Sequence, residues 1–138
     1  MGEQTLKNGL TRGVQRVLLA DDDPDLLEGM RSLLMAWGYE VETAQDGRAA
    51  LNKVGEVQPS LVITDVVMPA MNGLELLEAV KRDKPDIPVI VLTAHGSSET
   101  RHRAVTQGAL AYLPKPVDTA RLKSLLVTAL GEEGGRAG

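Results

Sequence analysis

Residues 17–38 read VLLADDDPDLLEGMRSLLMAWG and join a short apolar run to a stretch of helical period. The apolar run, residues 17–20, has the length of a buried strand. Beyond it, large apolar side chains recur every three or four residues, which places them on one face of a helix. They are Leu26, Leu27, Met30, Leu33, Leu34 and Trp37. Asp23 before Pro24 is typical of a helix start and Gly38 of a helix end. The stretch therefore predicts a strand followed at once by a helix.

The same alternation recurs along the whole chain. Further apolar runs predict strands at 41–44, 61–64, 89–93 and 110–113. Helical patterns lie between and after these runs, and the fourth, about 98–107, has only Ala104 and Val105 as apolar anchors. Five strand–helix units in strict alternation predict an α/β fold, a doubly wound parallel sheet with helices on both faces.

Length and composition limit the possible classes of protein. A chain of 138 residues with 43% hydrophobic and 25% charged residues is typical of one soluble globular domain. We expect that domain at 16–130, after a disordered or artificial segment at 1–15 and before a flexible tail or linker at 131–138. The lack of cysteine excludes disulfides, thiolate metal sites and a cysteine nucleophile. No apolar run reaches the roughly 20 residues of a membrane span, so we expect a cytoplasmic protein without membrane contact.

The charge balance argues against direct binding of nucleic acid. Lys and Arg total 15 against 19 Asp and Glu, a net charge of -4. Such a chain has no summed positive field to attract phosphates. Aromatic residues make up only 2% of the chain, too few for a base-stacking surface.

Polar residues that can carry chemistry follow four of the five predicted strands. Asp21 and Asp22 come after the first, Asp65 after the third, Thr93 ends the fourth, and Lys115 follows the fifth. In an open parallel sheet these ends lie at one edge, where ligands bind. Carboxylates about 5 Å apart repel by roughly 3 kcal/mol at an effective dielectric near 20, so the acids need a counter-ion. Oxygen ligands that leave room for water and phosphate favour Mg²⁺.

With these residues in place, the chain resembles the receiver domain of bacterial two-component response regulators, as in the chemotaxis regulators. The resemblance covers about 16–130 and implies a three-layer α/β/α fold with the flavodoxin-like strand order 2-1-3-4-5. It rests on four fragments in order: Asp21-Asp22, Asp65 with Met68-Pro69-Ala70-Met71-Asn72-Gly73, Thr93-Ala94, and Lys115-Pro116. Lys115-Pro116 is expected to be cis, as is common in the family.

The resemblance implies a role for each residue of this edge. Asp65 is the expected phosphoacceptor, supplied by a sensor histidine kinase or a phosphotransfer protein, and Thr93 and Lys115 are expected to bind the phosphoryl oxygens. The expected Mg²⁺ ligands are Asp21, Asp22, Asp65 and the backbone carbonyl of Val67. Such a domain catalyses only its own phosphorylation and dephosphorylation, so we do not expect an enzyme that acts on other substrates.

The resemblance also implies how a signal leaves the domain. Thr93 and Tyr112 are the expected switch residues, because an inward shift of the hydroxyl vacates space that the aromatic ring fills. The fourth helix, the fifth strand and the fifth helix then form the expected surface for an effector domain or protein. Val67 and His95 replace polar or acidic residues that help to place the attacking water in the chemotaxis type, so we expect a longer-lived phosphoryl group.

Two other functions compete with this interpretation. A degenerate receiver could act as a constitutive interaction scaffold, but such a chain would be expected to lack Asp65 or Lys115. A phosphatase of the haloacid dehalogenase type also uses an aspartyl nucleophile and Mg²⁺, but it requires a second acid where Val67 stands. A phosphate-binding loop of the GxxxxGK type is missing from the sequence, which argues against an ATPase or GTPase.

Overall fold

The computed structural model describes residues 14–131 and the backbone of residues 4–5 and 11–12. The two short segments, β1 (Gln4–Thr5) and β2 (Thr11–Arg12), pair antiparallel in a sheet of their own. The expected disorder at 1–15 and the expected flexible tail at 131–138 fall largely outside the described residues.

The main sheet has five parallel strands, each within one residue of its predicted bounds. They are β3 (Arg16–Ala20), β4 (Glu40–Ala44), β5 (Leu61–Asp65), β6 (Val89–Thr93) and β7 (Ala111–Pro114). Their spatial order is β4-β3-β5-β6-β7, with every neighbouring pair parallel. Numbered along the chain within this sheet, the order is 2-1-3-4-5, and the predicted topology is confirmed.

Five helices connect and follow these strands, as the alternation predicted. They are α1 (Pro24–Ala36), α2 (Gly47–Val57), α3 (Gly73–Asp83), α4 (Ser98–Thr106) and α5 (Thr119–Leu130). The predicted start of α1 is confirmed, because the Asp23 side chain accepts hydrogen bonds from the backbone N–H groups of Asp25 and Leu26. This carboxylate satisfies two of the donors that a helix leaves unpaired at its first turn.

The core lies on both faces of the main sheet. β5 and β6 are buried along their whole length, as central strands of a covered parallel sheet should be. Successive residues of each strand enter opposite core clusters, Leu18 with leucines of α3 and Leu19 with leucines of α1 and α5. Full burial of each such leucine contributes about 1.5–3 kcal/mol. The result is the three-layer α/β/α arrangement, with α1 and α5 on one face and α2, α3 and α4 on the other.

The fourth helix, α4, is the least anchored of the five. Ala104 is its only buried residue, whereas α3 buries six. Such a helix opens at low cost in free energy. Within the part of the chain that the structure describes, no helix is long and apolar enough to span a bilayer.

Candidate functional site

The carboxyl ends of β3 and β5, which pair as neighbours, bring three acids together. Asp21 and Asp22 directly follow β3, and Asp65 is the last residue of β5. One ligand oxygen from each carboxylate lies within 4.8 Å of the others. Asp21 and Asp65 are 5% and 8% exposed, so both acids are largely removed from water. The predicted convergence of these three residues is confirmed.

Lys115 brings a positive charge to this cluster from the end of β7. Its Nζ lies 2.8 Å from Oδ2 of Asp21 and 3.3 Å from Oδ2 of Asp65. The peptide bond between Lys115 and Pro116 is cis, as expected. One ammonium against three carboxylates leaves an excess of negative charge, which favours the binding of a cation.

Asp65, which is buried, and Lys115, which is partly buried, shift each other's pKa. Burial and the nearby charge of Asp21 raise the pKa of Asp65, and the ion pair with Lys115 only partly offsets them. Burial alone would lower the pKa of Lys115, but its hydrogen bonds and ion pairs with Asp21 and Asp65 outweigh burial and raise it. Lys115 therefore stays positively charged at neutral pH, while the charge on Asp65 is disfavoured without a further cation.

Backbone amides fix the orientation of two carboxylates. Oδ1 of Asp65 accepts a hydrogen bond from the backbone N–H of Val66 at 2.9 Å. Oδ1 of Asp21 accepts one from the backbone N–H of Asp23, also at 2.9 Å. In both residues the other oxygen, Oδ2, is the one that faces Lys115. These bonds preorganise the acids without use of their remaining lone pairs.

Thr93 lies at the end of β6, next to the acidic cluster. Asp65 pairs with Leu92 in the sheet, and the backbone N–H of Lys115 donates to the Thr93 carbonyl at 2.9 Å. Thr93 is 5% exposed, and its hydroxyl accepts from the backbone N–H of His95 at 3.2 Å. Thr93 thus lies at the predicted edge of the sheet, and its hydroxyl is hydrogen-bonded within the loop that follows β6.

The chain matches a known protein family over most of its length. The response regulator receiver domain profile matches residues 17–127. The chain belongs to this family. It is a receiver domain of the kind found in two-component response regulators.

Curated relatives are similar to the receiver domain over most of its length. The response regulator MprA of Mycolicibacterium vanbaalenii is 39% identical over 123 residues, which cover 86% of this chain and 53% of the relative. The transcriptional regulatory protein ZraR of Escherichia coli K12 is 42% identical over 114 residues, which cover 83% of this chain and 26% of the relative. The receiver domain therefore spans about half of the first relative and about a quarter of the second.

Solved structures share its fold. A CheY-like receiver domain protein from Methanospirillum hungatei superposes with a TM-score of 0.83 at 32% identity and covers 91% of this chain and 100% of its own. The chemotaxis protein CheY4 of Vibrio cholerae superposes with a TM-score of 0.78 at 34% identity, over 86% of this chain and 100% of its own.

The loop after Asp65 depends on a glycine to which the sequence analysis gave no role of its own. A Cβ on Gly73 would lie 2.0 Å from the carbonyl oxygen of Asp65, closer than any real contact. The Gly73 N–H donates to the Val66 carbonyl at 2.8 Å. Gly73 thus lets the start of α3 pack against the backbone of the candidate acceptor. The sequence could have indicated this role only through the glycine itself, because it occupies the first position of α3, where a side chain is normally tolerated.

Of two further residues that the sequence singled out, Val67 is largely exposed and Tyr112 is largely buried. The Val67 side chain is 70% exposed in the loop directly after Asp65, and it has no polar atom to offer there. Tyr112 is 8% exposed, and its hydroxyl lies 2.5 Å from that of Thr100 in α4. Thr100 was not predicted to matter, because no pattern in the sequence pairs it with Tyr112.

Proposed function

We propose that this receiver domain accepts a phosphoryl group on Asp65 in a Mg²⁺-dependent reaction. The observation that supports this most directly is the placement of the Asp65 carboxylate, within 4.8 Å of two other carboxylates and 3.3 Å from the Lys115 ammonium. A nucleophile so placed has the Lys115 ammonium, and any cation that the three carboxylates hold, to offset the charge of an incoming phosphoryl group. The proposed role is transfer to the domain itself and not turnover of other substrates.

The donor set suits a hard cation. Asp21, Asp22 and Asp65 offer carboxylate oxygens and Val67 a backbone carbonyl, and oxygen ligands of this kind are those that Mg²⁺ prefers. The excess of negative charge over the Lys115 ammonium supports the same assignment. When bound, Mg²⁺ would neutralise charge on the phosphoryl oxygens and on the acceptor.

The covalent step needs few protein groups. A carboxylate oxygen of Asp65 attacks phosphorus of a phosphohistidine, and the phosphorus–nitrogen bond breaks with its electron pair left on the imidazole. The Lys115 ammonium pairs with the transferred phosphoryl oxygens, and the Thr93 hydroxyl can rotate from His95 to donate to them. Positioning and charge carry most of the catalysis of phosphoryl transfer. The phosphohistidine donor is a sensor histidine kinase or a phosphotransfer protein.

The output surface that we propose consists of α4, β7 and α5. Hydrogen bonds to charged groups contribute about 1.5–3 kcal/mol each, so bonds from Thr93 and Lys115 to a phosphoryl group offer roughly 3–6 kcal/mol. A two-state equilibrium moves from 1:99 to 99:1 with about 5.5 kcal/mol. The site therefore has enough free energy to reposition Thr93 and Tyr112 and so change this surface for an effector.

The deciding experiment measures the intact mass after incubation with acetyl phosphate and Mg²⁺. We expect the native chain and the control Asp86→Asn, at an exposed acid remote from the cluster, to gain one phosphoryl group. Asp65→Asn should gain none. Equal gains in Asp65→Asn would place the acceptor elsewhere, and no gain in the native chain would favour a constitutive scaffold.

Hydrogen exchange tests the proposed output. Amide exchange across α4 is compared with and without beryllium fluoride and Mg²⁺, a mimic of the phosphoryl group. We expect protection in α4 to change while β5 stays protected. Identical exchange in both states would exclude α4 from the proposed switch.

A further inference from the structure

Thr100 joins two elements that are otherwise separate in the chain. It lies in the first turn of α4, and its Oγ1 is 2.5 Å from the hydroxyl of Tyr112 in β7. This contact is short for a bond between two hydroxyls. It is the hydrogen bond that the structure gives to the Tyr112 hydroxyl.

The same Thr100 oxygen also holds the start of α4. The backbone N–H of Ser97 donates to it at 3.1 Å, while the Thr100 N–H donates to Oγ of Ser97 at 3.1 Å. Together these bonds form a capping box, which satisfies donors at the helix start. Thr100 therefore couples the cap of α4 to the position of Tyr112.

Tyr112 is also in close contact with the loop that carries Thr93. A Cβ on Gly96 would lie 2.7 Å from the Tyr112 hydroxyl and 3.1 Å from Cγ2 of Thr93. The Arg101 guanidinium lies 5.0 Å from the centre of the Tyr112 ring, within reach of a cation–π interaction. The ring is thus held between the Thr93 loop and the first two turns of α4.

The contact matters because α4 has little else to hold it. Its only buried residue is Ala104, whose small side chain buries little apolar area. The hydrogen bond to Tyr112, which is only 8% exposed, therefore adds to the attachment of a helix that buries little apolar area.

We propose that Thr100 is the positioning residue that joins Tyr112 to α4, so that the ring and the helix move as one unit. A displacement of Thr93 is then passed to α4 through the ring and the Thr100 hydroxyl. The signalling meaning of this coupling rests on the proposed phosphorylation of Asp65, but the coupling itself exists in the unmodified protein.

The test uses the full chain with ¹³C-labelled tyrosine rings, in EDTA and without a phosphoryl donor. The sequence has two tyrosines, so Tyr39 serves as the internal reference. We expect Thr100→Val to shift the Tyr112 ring signals and Thr100→Ser, which keeps the hydroxyl, to restore them. Ser98→Ala removes an exposed hydroxyl from the same turn of α4 but leaves Ser97, Thr100 and Tyr112 intact, so it should leave those signals in place. An unshifted Tyr112 in Thr100→Val, or an equal shift in Ser98→Ala, would overturn the proposal.

Hydrogen exchange provides the second readout. Tyr112→Phe removes only the hydroxyl, and we expect α4 amides to exchange roughly threefold to tenfold faster, the range expected for one hydrogen bond. Unchanged exchange in α4 would contradict the coupling. The gain in mass with acetyl phosphate is measured separately on Thr100→Val. The ring signals are recorded without a phosphoryl donor, so they do not depend on phosphorylation of Asp65. A protein that accepts no phosphoryl group can therefore still show the contact between Thr100 and Tyr112, and the two results are distinguishable.

Discussion

The Lys115 ammonium lies 2.8 Å from the Asp21 carboxylate, an ion pair that joins residues 94 positions apart in the chain. It connects the outer strand β7 to β3 across the carboxyl edge of the sheet, with Asp65 between them at 3.3 Å. The pair thus has two effects. It partly neutralises the acids that would otherwise repel, and it places a cation beside the proposed acceptor.

Replacement of this lysine should weaken both the fold and the reaction. We expect Lys115→Met to lower the free energy of unfolding at pH 7 by about 1–3 kcal/mol, because it leaves largely buried carboxylates without their partner. Since the pKa of Lys115 is raised, the stability that it contributes is present below its ordinary value of 10.5 and is lost as the pH rises through the folded-state pKa.

Urea unfolding in EDTA measures this loss of stability, and labelling by acetyl phosphate measures the effect on the reaction. The exposed Lys84→Met is the matched control. A Lys115→Met protein as stable as this control, with the same rate of phosphorylation, would contradict the role of the pair.

Loss of the Asp65 charge should stabilise the metal-free domain. The folded-state pKa of Asp65 lies above the ordinary 3.8, so folding favours its protonated form. The stability gained from protonation of Asp65 is fully present below pH 3.8 and is lost as the pH rises through the folded-state pKa. At neutral pH the ionised Asp65 therefore lowers the stability of the folded protein. Asp65→Asn lacks that penalty.

We therefore expect the melting temperature of Asp65→Asn in EDTA at pH 7 to exceed that of the native chain. The advantage should shrink toward zero as the pH approaches 3.8. Thermal unfolding of both proteins across pH 3.5–8 measures it. An advantage that grows as the pH falls would reverse the sign and refute the assignment.

The fold and the composition of the site were predictable because both depend on local patterns. Strands such as Val89–Thr93 are continuous apolar runs, and Asp23 with Pro24 marks the start of α1 in the sequence itself. Once the strands are known, parallel pairing forces Asp21 and Asp65 to one edge, so their proximity follows from topology.

The remaining features depend on the path of loops and on side-chain packing, which the sequence pattern does not encode. The clearance at Gly73 arises only because the loop after Asp65 returns to the Asp65 carbonyl. The bond between Thr100 and Tyr112 requires both the placement of α4 and one orientation of the ring. Neither the close approach at Gly73 nor the hydrogen bond between Thr100 and Tyr112 produces a hydrophobic period or a motif in the sequence.

Mg²⁺ should stabilise the native chain through the acidic cluster. A ligand that binds only the folded state adds RT ln(1 + [L]/Kd), about 2.7 kcal/mol at a hundredfold excess over Kd. We expect a rise in melting temperature on addition of Mg²⁺, its reversal by EDTA, and a much smaller rise in Asp21→Asn. The exposed Asp86→Asn should respond as the native chain does. Equal responses of Asp21→Asn and Asp86→Asn would place the cation outside this cluster.

Ala70 should be a site where glycine improves stability. Its φ of 69° lies in the left-handed region, which costs a residue with a Cβ about 1–2 kcal/mol. Glycine removes that cost but loses more entropy on folding, so we expect Ala70→Gly to gain about 0.5–1 kcal/mol. Ala120→Gly, in the first turn of α5, should lose a similar amount. Urea unfolding compares the two, and a loss of stability in both variants would show that Ala70 is unstrained.

The lifetime of the phosphoryl group should depend on Val67. Its side chain is 70% exposed in the loop after Asp65 and has no polar atom with which to orient an attacking water. Asn at this position could hold that water with one hydrogen bond, so we expect Val67→Asn to lose its phosphoryl group roughly threefold to tenfold faster than the native chain.

The control Val105→Asn makes the same chemical change at a 61% exposed position in α4 and should keep the native lifetime. Each protein is labelled with acetyl phosphate and Mg²⁺, separated from the donor, and followed by intact mass over time. Equal decay in Val67→Asn and Val105→Asn would mean that water reaches the phosphorus without help from this position, and the slow hydrolysis expected of the native chain would need another cause.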